Sequence, residues 1–507
     1  AGSAGLAARP LMNAIRRLAA LLACTLALSA CGEPQARAND VRLGIALEPP
    51  NLDPTSGAAA ATDEIVYANV FEGLTRVGAH GEVLPALAER WDVSPDRLTY
   101  TFHLHPGAHF HDGTTFDASD VKYSLDRARA ADSTNAQKGL FEPIASVDVV
   151  DPLTVKVTLS RPAGDFLFNM GWGDAVIVAP ESAATNAVKP IGTGPFRFSR
   201  WLRGTQIELV RNPDYWGPPA RLDAATFVVI SDPAAAYAAL LAGDIDSFPN
   251  FPAVELLPQI EGDPRFAIVI GTTEGETILA INNARKPFDD LRVRQAIAHA
   301  IDRKALILGA SEGYGVPIGS HFPPHDPAYV DLTGTYPYDI AAGRRLLAEA
   351  GIPDGFKATM KLPPVAYARR GGEILAQQLK VIGIDVSIEN VEWAQWLDQV
   401  FANGDFDLTI VSHTEPRDIA IYARDDYYFR YAKPAFKALM AELDLAGDDA
   451  VRRPVLQAAQ RMLAEDAVNG FLFQLPKVGV WNARLMGQWA NAPVQANDLT
   501  GVYWQEP

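Results

Sequence analysis

Both cysteines of this 507-residue chain, Cys24 and Cys31, lie within its first 31 residues. Everything after them must fold without a disulfide, a Cys-ligated zinc or iron–sulfur centre, or a cysteine nucleophile. A hydrophobic core must therefore hold the body together. With 48% hydrophobic and 21% charged residues, the chain has the composition for one. At roughly 150 residues per domain, its length implies about three domains or lobes. The formal net charge is −17, from Asp+Glu 61 against Lys+Arg 44. Such a surface repels phosphates, so no nucleic-acid partner is expected.

The N-terminus reads as an address. Arg16 and Arg17 precede a run over residues 18–28 that is apolar apart from Thr25. Leu28-Ser29-Ala30-Cys31 follows. A basic region, a short apolar region and small residues at a cleavage point make a secretory signal peptide. The run falls short of the roughly 20 residues that span a bilayer. The last four residues resemble a bacterial lipobox, which makes Cys31 the expected site of lipidation. Ala36-Arg37-Ala38 offers a second cleavage pattern, which would leave a mature chain starting at Asn39. Residues 1–11, ahead of Met12, lack the character of a signal n-region. Residues 1–38 are thus expected to be signal and tether, and the body is expected in the periplasm, free or lipid-anchored.

The body reads as mixed α/β, with helices and strands interleaved and no internal repeat. Strands are expected over 41–47, 98–104, 147–150, 154–159, 384–388 and 408–411, from apolar runs or period-2 alternation. Asp151-Pro152 supplies the turn of a strand–turn–strand unit. Helical spacing appears over 63–74, 289–308, 339–350 and 372–381. No linker rich in Pro, Gly or Ser divides the chain, so the lobes are expected to connect through strands.

Five stretches form one ordered series: Phe71-Glu72-Gly73-Leu74-Thr75-Arg76, residues 83–91, residues 98–104, Phe110-His111-Asp112-Gly113-Thr114 and residues 120–124. Further motifs follow in order, among them residues 191–197, Arg211-Asn212-Pro213-Asp214-Tyr215-Trp216, residues 287–296 and Gly404-Asp405-Phe406-Asp407-Leu408. Over residues 40–480 the chain resembles the extracellular solute-binding proteins of the peptide/nickel class (family 5, like dipeptide- and oligopeptide-binding proteins), which serve ABC importers. The resemblance implies a type II-like binding protein, two lobes joined by a hinge and closing over a solute. Lobe I would take 39–273 and 477–507, with an extra subdomain over 84–190, and lobe II 274–476. It implies a monomeric binding component without a cofactor, not an enzyme. Its partners would be an oligopeptide or peptide-like solute and the permease subunits in the inner membrane. A nickel chelate, haem, sugar or opine remains open as the solute. An exported hydrolase is the reading from another class, although the chain carries no H-E-x-x-H or Walker motif.

The resemblance also marks candidate contacts. In peptide-binding relatives the loop after strand 408–411 carries an aspartate that pairs with the ligand ammonium, which points to Asp418 or Glu415. Arg417 would neutralise Glu415 or bind an anionic ligand, and His413 lies in the same loop. Tyr422 belongs to a tyrosine-rich stretch over 421–431 suited to peptide, sugar or opine contact. Trp393, Tyr367 and Arg369 complete the set. His103, His105, His109 and His111 are spaced as a metal or haem cluster would be, and equally as a solvated hairpin. Gly192-Thr193-Gly194-Pro195 lacks the Lys-Ser/Thr of a phosphate loop and reads as a structural turn.

Overall fold

Two long strands, Phe266–Ile281 and Gly470–Asn482, organise the fold. The computed structural model describes Gly2 and residues 39–56, 59–446 and 449–506. The expected signal segment and Cys31 lie outside the described residues. The chain divides into two units, residues 1–40 and 41–507, and the second carries both long strands.

The two long strands pair antiparallel from Phe266 opposite Asn482 to Leu279 opposite Gly470. They sit in the middle of an eleven-stranded sheet. On one side the sheet continues through Ser247–Phe248, Asp40–Ile45, Ala224–Val229, Gln206–Arg211 and Phe196–Leu202. On the other it continues through Leu408–His413, Phe356–Leu362 and Ile384–Asn390, and the short strand Val316–Pro317 pairs with Gly470–Asn482 off this path. The register of the long pair breaks between Thr272 and Glu276. Such an irregularity bends and twists a strand locally.

The buried cores divide at that break. Val478, Val480 and Trp481 pack with apolar residues of segments 41–260, whereas Phe471, Leu472 and Phe473 pack with residues of segments 278–468. A third core fills a smaller unit around a four-stranded sheet, Ala88–Val93, Thr99–Leu104, Thr154–Leu159 and Ile144–Asp151. Thr99–Leu104 alternates strictly between half-buried and buried residues, the pattern of a sheet with one covered face. The helix Ala118–Arg129 covers it, started by a reciprocal capping box between Asp117 and Asp120.

Two helices differ from their sequence reading. The pattern over 63–74 yields a helix only over Ala60–Val66, because Ala68 takes a left-handed φ of 58° and the chain turns back. Asn69 holds that turn, donating from Nδ2 to the Ile65 and Asn497 carbonyls and accepting at Oδ1 from Leu499 N–H. The pattern over 289–308 is two helices, Leu291–Ala300 and Arg303–Ala310. Asp302 starts the second by accepting from Lys304 and Ala305 N–H, an N-cap inside an unbroken apolar pattern.

The motifs of the ordered series meet at one buried side chain. The Glu72 carboxylate accepts from Tyr215 Oη at 2.7 Å, Thr193 Oγ1 at 2.8 Å and Trp216 Nε1 at 2.9 Å. Burial raises the Glu72 carboxyl pKa, and the three hydrogen bonds oppose that rise. A Cβ on Gly192 would lie 1.9 Å from the Val70 carbonyl oxygen, and one on Gly194 2.4 Å from that of Asn69. The turn at 192–195 is therefore a packing device, closed by glycines where backbone meets backbone. His111 docks on it, with Nε2 2.9 Å from the Gly194 carbonyl.

Candidate functional site

A cavity of about 240 Å³ opens where the two long strands change register. Glu64 and Trp172 line it from one side, Thr414 and Pro416 from the other, and Glu274 and Lys477 from the long strands. Leu475, Pro476 and Val494 supply apolar wall. Burial pushes the Glu64 carboxyl up to about 7, with Lys477 opposing the shift. Burial likewise brings the Lys477 ammonium down to about 8, with Glu64 opposing. Lys477 Nζ donates to the Trp489 carbonyl, and the two charges oppose each other's shift by coulombic attraction alone, so a solute carrying both signs would complete the set. Glu274 has a partner already: its Oε1 lies 2.7 Å from His325 Nε2.

Behind the 414–417 loop lies a second polar group. His321 Nε2 is 2.6 Å from Asp418 Oδ1, and His413 Nδ1 is 3.4 Å from Asp418 Oδ2. Burial alone would raise the Asp418 carboxyl; His321 first, then His413, outweigh it and hold it below the usual range. Tyr422 Oη lies 3.3 Å from His321 Nδ1, and Tyr428 Oη lies 3.0 Å from His413 Nε2. His321, Asp418, His413 and Tyr422 are thus one network, of which the sequence singles out all but His321.

The remaining candidates go elsewhere. Glu415 is exposed and accepts from Thr414 N–H at 3.2 Å. Arg417 does not point into the cavity. Its Nη1 lies 3.2 Å from Asp165 and its Nη2 donates to the Gly81 carbonyl at 3.1 Å. Its guanidinium also stacks 4.0 Å over Phe168. Arg452 Nη2 meets the same Asp165 carboxylate at 2.5 Å. Arg417 has φ 59°, a left-handed value unfavourable for a residue with a Cβ, so the surrounding contacts hold it there. Tyr367 Oη accepts from Ser412 N–H at 3.0 Å. Arg369 pairs on the surface with Glu392, and Trp393 is exposed beside the buried Trp396.

The histidine series also disperses. His103 meets Asp92, His105 packs on Trp216, His109 bonds the Gly107 carbonyl and His111 the Gly194 carbonyl. Sequence reasoning misses Glu64, Trp172 and Lys477. No local motif marks them, because their common role arises only where three distant segments converge.

A bent two-strand connection between separate cores, with a cavity at the bend, defines a two-lobed periplasmic-type binding protein. The model of bacterial extracellular solute-binding proteins, family 5, matches residues 82–439. Glutathione-binding protein GsiB of Pectobacterium atrosepticum is 32% identical over 392 residues, covering 76% of this chain and 75% of that protein. Di/tripeptide-binding protein 1 of Pseudomonas aeruginosa is 31% identical over 432 residues, covering 79% and 80%. The structure of HbpA2 from Haemophilus parasuis superposes with a TM-score of 0.86 at 26% identity, over 92% of this chain and 100% of that one. The chain belongs to family 5 of the extracellular solute-binding proteins, the substrate-binding components of ABC importers. These relatives are binding proteins of transporters, and the family is periplasmic or extracellular. Among the described residues no helix is long and apolar enough to cross a membrane.

Proposed function

We propose that the chain captures a short peptide or peptide-like zwitterion in the cavity between Glu64 and Lys477 and delivers it to an inner-membrane permease. One observation carries this reading: a desolvated carboxyl and a desolvated ammonium face one small cavity with partly apolar walls. The solute ammonium would pair with Glu64 and its carboxylate with Lys477. Trp172 and Leu475 would hold the aliphatic part. Relatives named for glutathione and for di- and tripeptides support this size class. The function is affinity without bond chemistry, the solute favouring the closed state by binding it more tightly. The protein acts as a monomer, with lobe I at 39–273 plus 477–507, its subdomain at 84–190, and lobe II at 274–476. The break between Thr272 and Glu276 and the divided cores support those boundaries.

Mass spectrometry of solute released from purified protein tests the reading. A zwitterion of two to four residues is expected, and a haem, a sugar or a metal chelate would refute it. The protonation states add a sign. Below about pH 7 Glu64 holds a proton that the solute ammonium must displace, so affinity falls as pH drops. Above about pH 8 Lys477 has lost the proton its role requires, so affinity falls as pH rises. The affinity maximum is therefore expected between pH 7 and 8.

Export and anchoring belong to the same proposal. Cys31→Ser is expected to remove the mass of the acyl groups and release the protein from membranes. An unchanged mass, with Asn39 as the mature N-terminus, would assign cleavage to the Ala36-Arg37-Ala38 site instead.

A further inference from the structure

We propose that His321, His413 and Asp418, brought together behind the cavity loop, with Glu276 beside them on the sheet, form a buried site for one divalent transition-metal ion of the zinc class. The candidate donor atoms of His321, His413 and Asp418 all lie within 4.8 Å of one another. The ring nitrogens that face away from Asp418 are both held by tyrosine hydroxyls, Tyr422 on His321 and Tyr428 on His413. Asn469 Nδ2 in turn donates to Tyr422 Oη at 3.0 Å. Metal-binding imidazoles are oriented in this way by partners on the opposite nitrogen.

Glu276 supplies the independent observation. It is 2% exposed, and its Oε2 has no hydrogen-bond partner. It lies directly opposite His413 in the antiparallel register, so the two side chains share a face of the sheet. A metal-free network, with Asp418 bridging two imidazoles, accounts for both histidines and leaves Glu276 Oε2 buried without a partner. Such burial is costly. A divalent cation would satisfy Glu276 and balance both carboxylates. A donor set of two imidazoles and two carboxylates without sulfur suits Zn²⁺, Co²⁺ or Ni²⁺.

The site would be resident, not cargo. His413 and Asp418 bracket the 414–417 loop, of which Thr414 and Pro416 line the cavity. An ion joining them would fix both ends of that loop whichever solute the cavity takes.

Cobalt serves as the probe. Full-length protein stripped with chelator is titrated with Co²⁺ and followed by visible absorption. One Co²⁺ per chain with a ligand-field band is expected, displaced by Zn²⁺, and Zn²⁺ is expected to raise the melting temperature. His413→Gln and Asp418→Asn are each expected to abolish the band. Tyr422→Phe should weaken metal affinity about tenfold or more by freeing the His321 ring. The combined His103→Ala, His105→Ala and His109→Ala variant should retain wild-type stoichiometry. If His413→Gln does not fold, Glu276→Gln, which keeps the volume, is expected to weaken cobalt binding at least tenfold. Absence of stoichiometric cobalt in the wild-type protein, or a band that survives both Asp418→Asn and Glu276→Gln, would overturn the proposal.

Discussion

Glu72→Ala is expected to destabilise the protein by on the order of 3–5 kcal/mol, chiefly through hydrogen bonds lost at one buried point. The wild-type carboxylate accepts from Tyr215, Trp216 and Thr193, which lie more than a hundred residues away in sequence. Each donor left unsatisfied in the interior costs about 1–3 kcal/mol. Partial reorientation of Tyr215 toward solvent places the total below the full sum. Glu72→Gln keeps the shape and one acceptor oxygen, so it should cost about half as much. Urea denaturation reads both as shifts in midpoint at constant slope. A shift under about 1 kcal/mol for the alanine variant would show that these contacts are not what ties the motifs together.

Asp165→Ala is expected to weaken solute binding although Asp165 lines no part of the cavity between Glu64 and Lys477. Its carboxylate meets Arg452 at 2.5 Å and Arg417 at 3.2 Å. In the proposed boundaries these contacts join lobe I to lobe II, and they are expected to form only when the lobes close. The Arg452 side chain is 8% exposed in this structure, and removing its partner leaves a buried charge uncompensated. Asp165 itself is 28% exposed, which places the penalty at the level of a charged hydrogen bond, about 1.5–3 kcal/mol. At about 1.4 kcal/mol per tenfold, the dissociation constant should rise about ten- to a hundredfold. Folding stability of the open, solute-free protein should change little, because both arginines are then free to meet water. An unchanged dissociation constant would mean that the contact forms without regard to closure.

These two expectations show where the sequence is readable. Period-2 alternation locates Thr99–Leu104 and Thr154–Leu159, because one covered face imposes it locally. The apolar runs 278–281 and 471–473 lie inside the two long strands, where buried strands read as apolar runs. The helix break at Asp302 is written in the chain as an N-cap, yet the continuous apolar side masks it. Chemistry is less legible. The loop after Leu408–His413 stands out in the sequence, but the direction of each side chain within it depends on distant partners. Asp418 turns to His321, 97 residues earlier, and Arg417 to Asp165, 252 residues earlier. Glu64 sits in an ordinary amphipathic helix and Lys477 in the middle of a strand. Nothing local distinguishes either from a surface charge until the fold buries both against one cavity.

Calorimetry on the wild-type protein, Glu64→Gln and Lys477→Met, with glutathione and trialanine as probes, tests most directly whether that cavity takes a zwitterion. The wild-type protein should bind at least one probe with a one-to-one stoichiometry and an affinity maximum between pH 7 and 8. Each substitution should raise the dissociation constant at least tenfold, the loss of one charge-assisted contact of about 1.4 kcal/mol or more. Glu64→Gln should also abolish the fall in affinity on the acid side, and Lys477→Met the fall on the alkaline side. Binding that is unchanged in both variants, with a flat pH profile, would contradict the assignment of the Glu64–Lys477 cavity as the solute site.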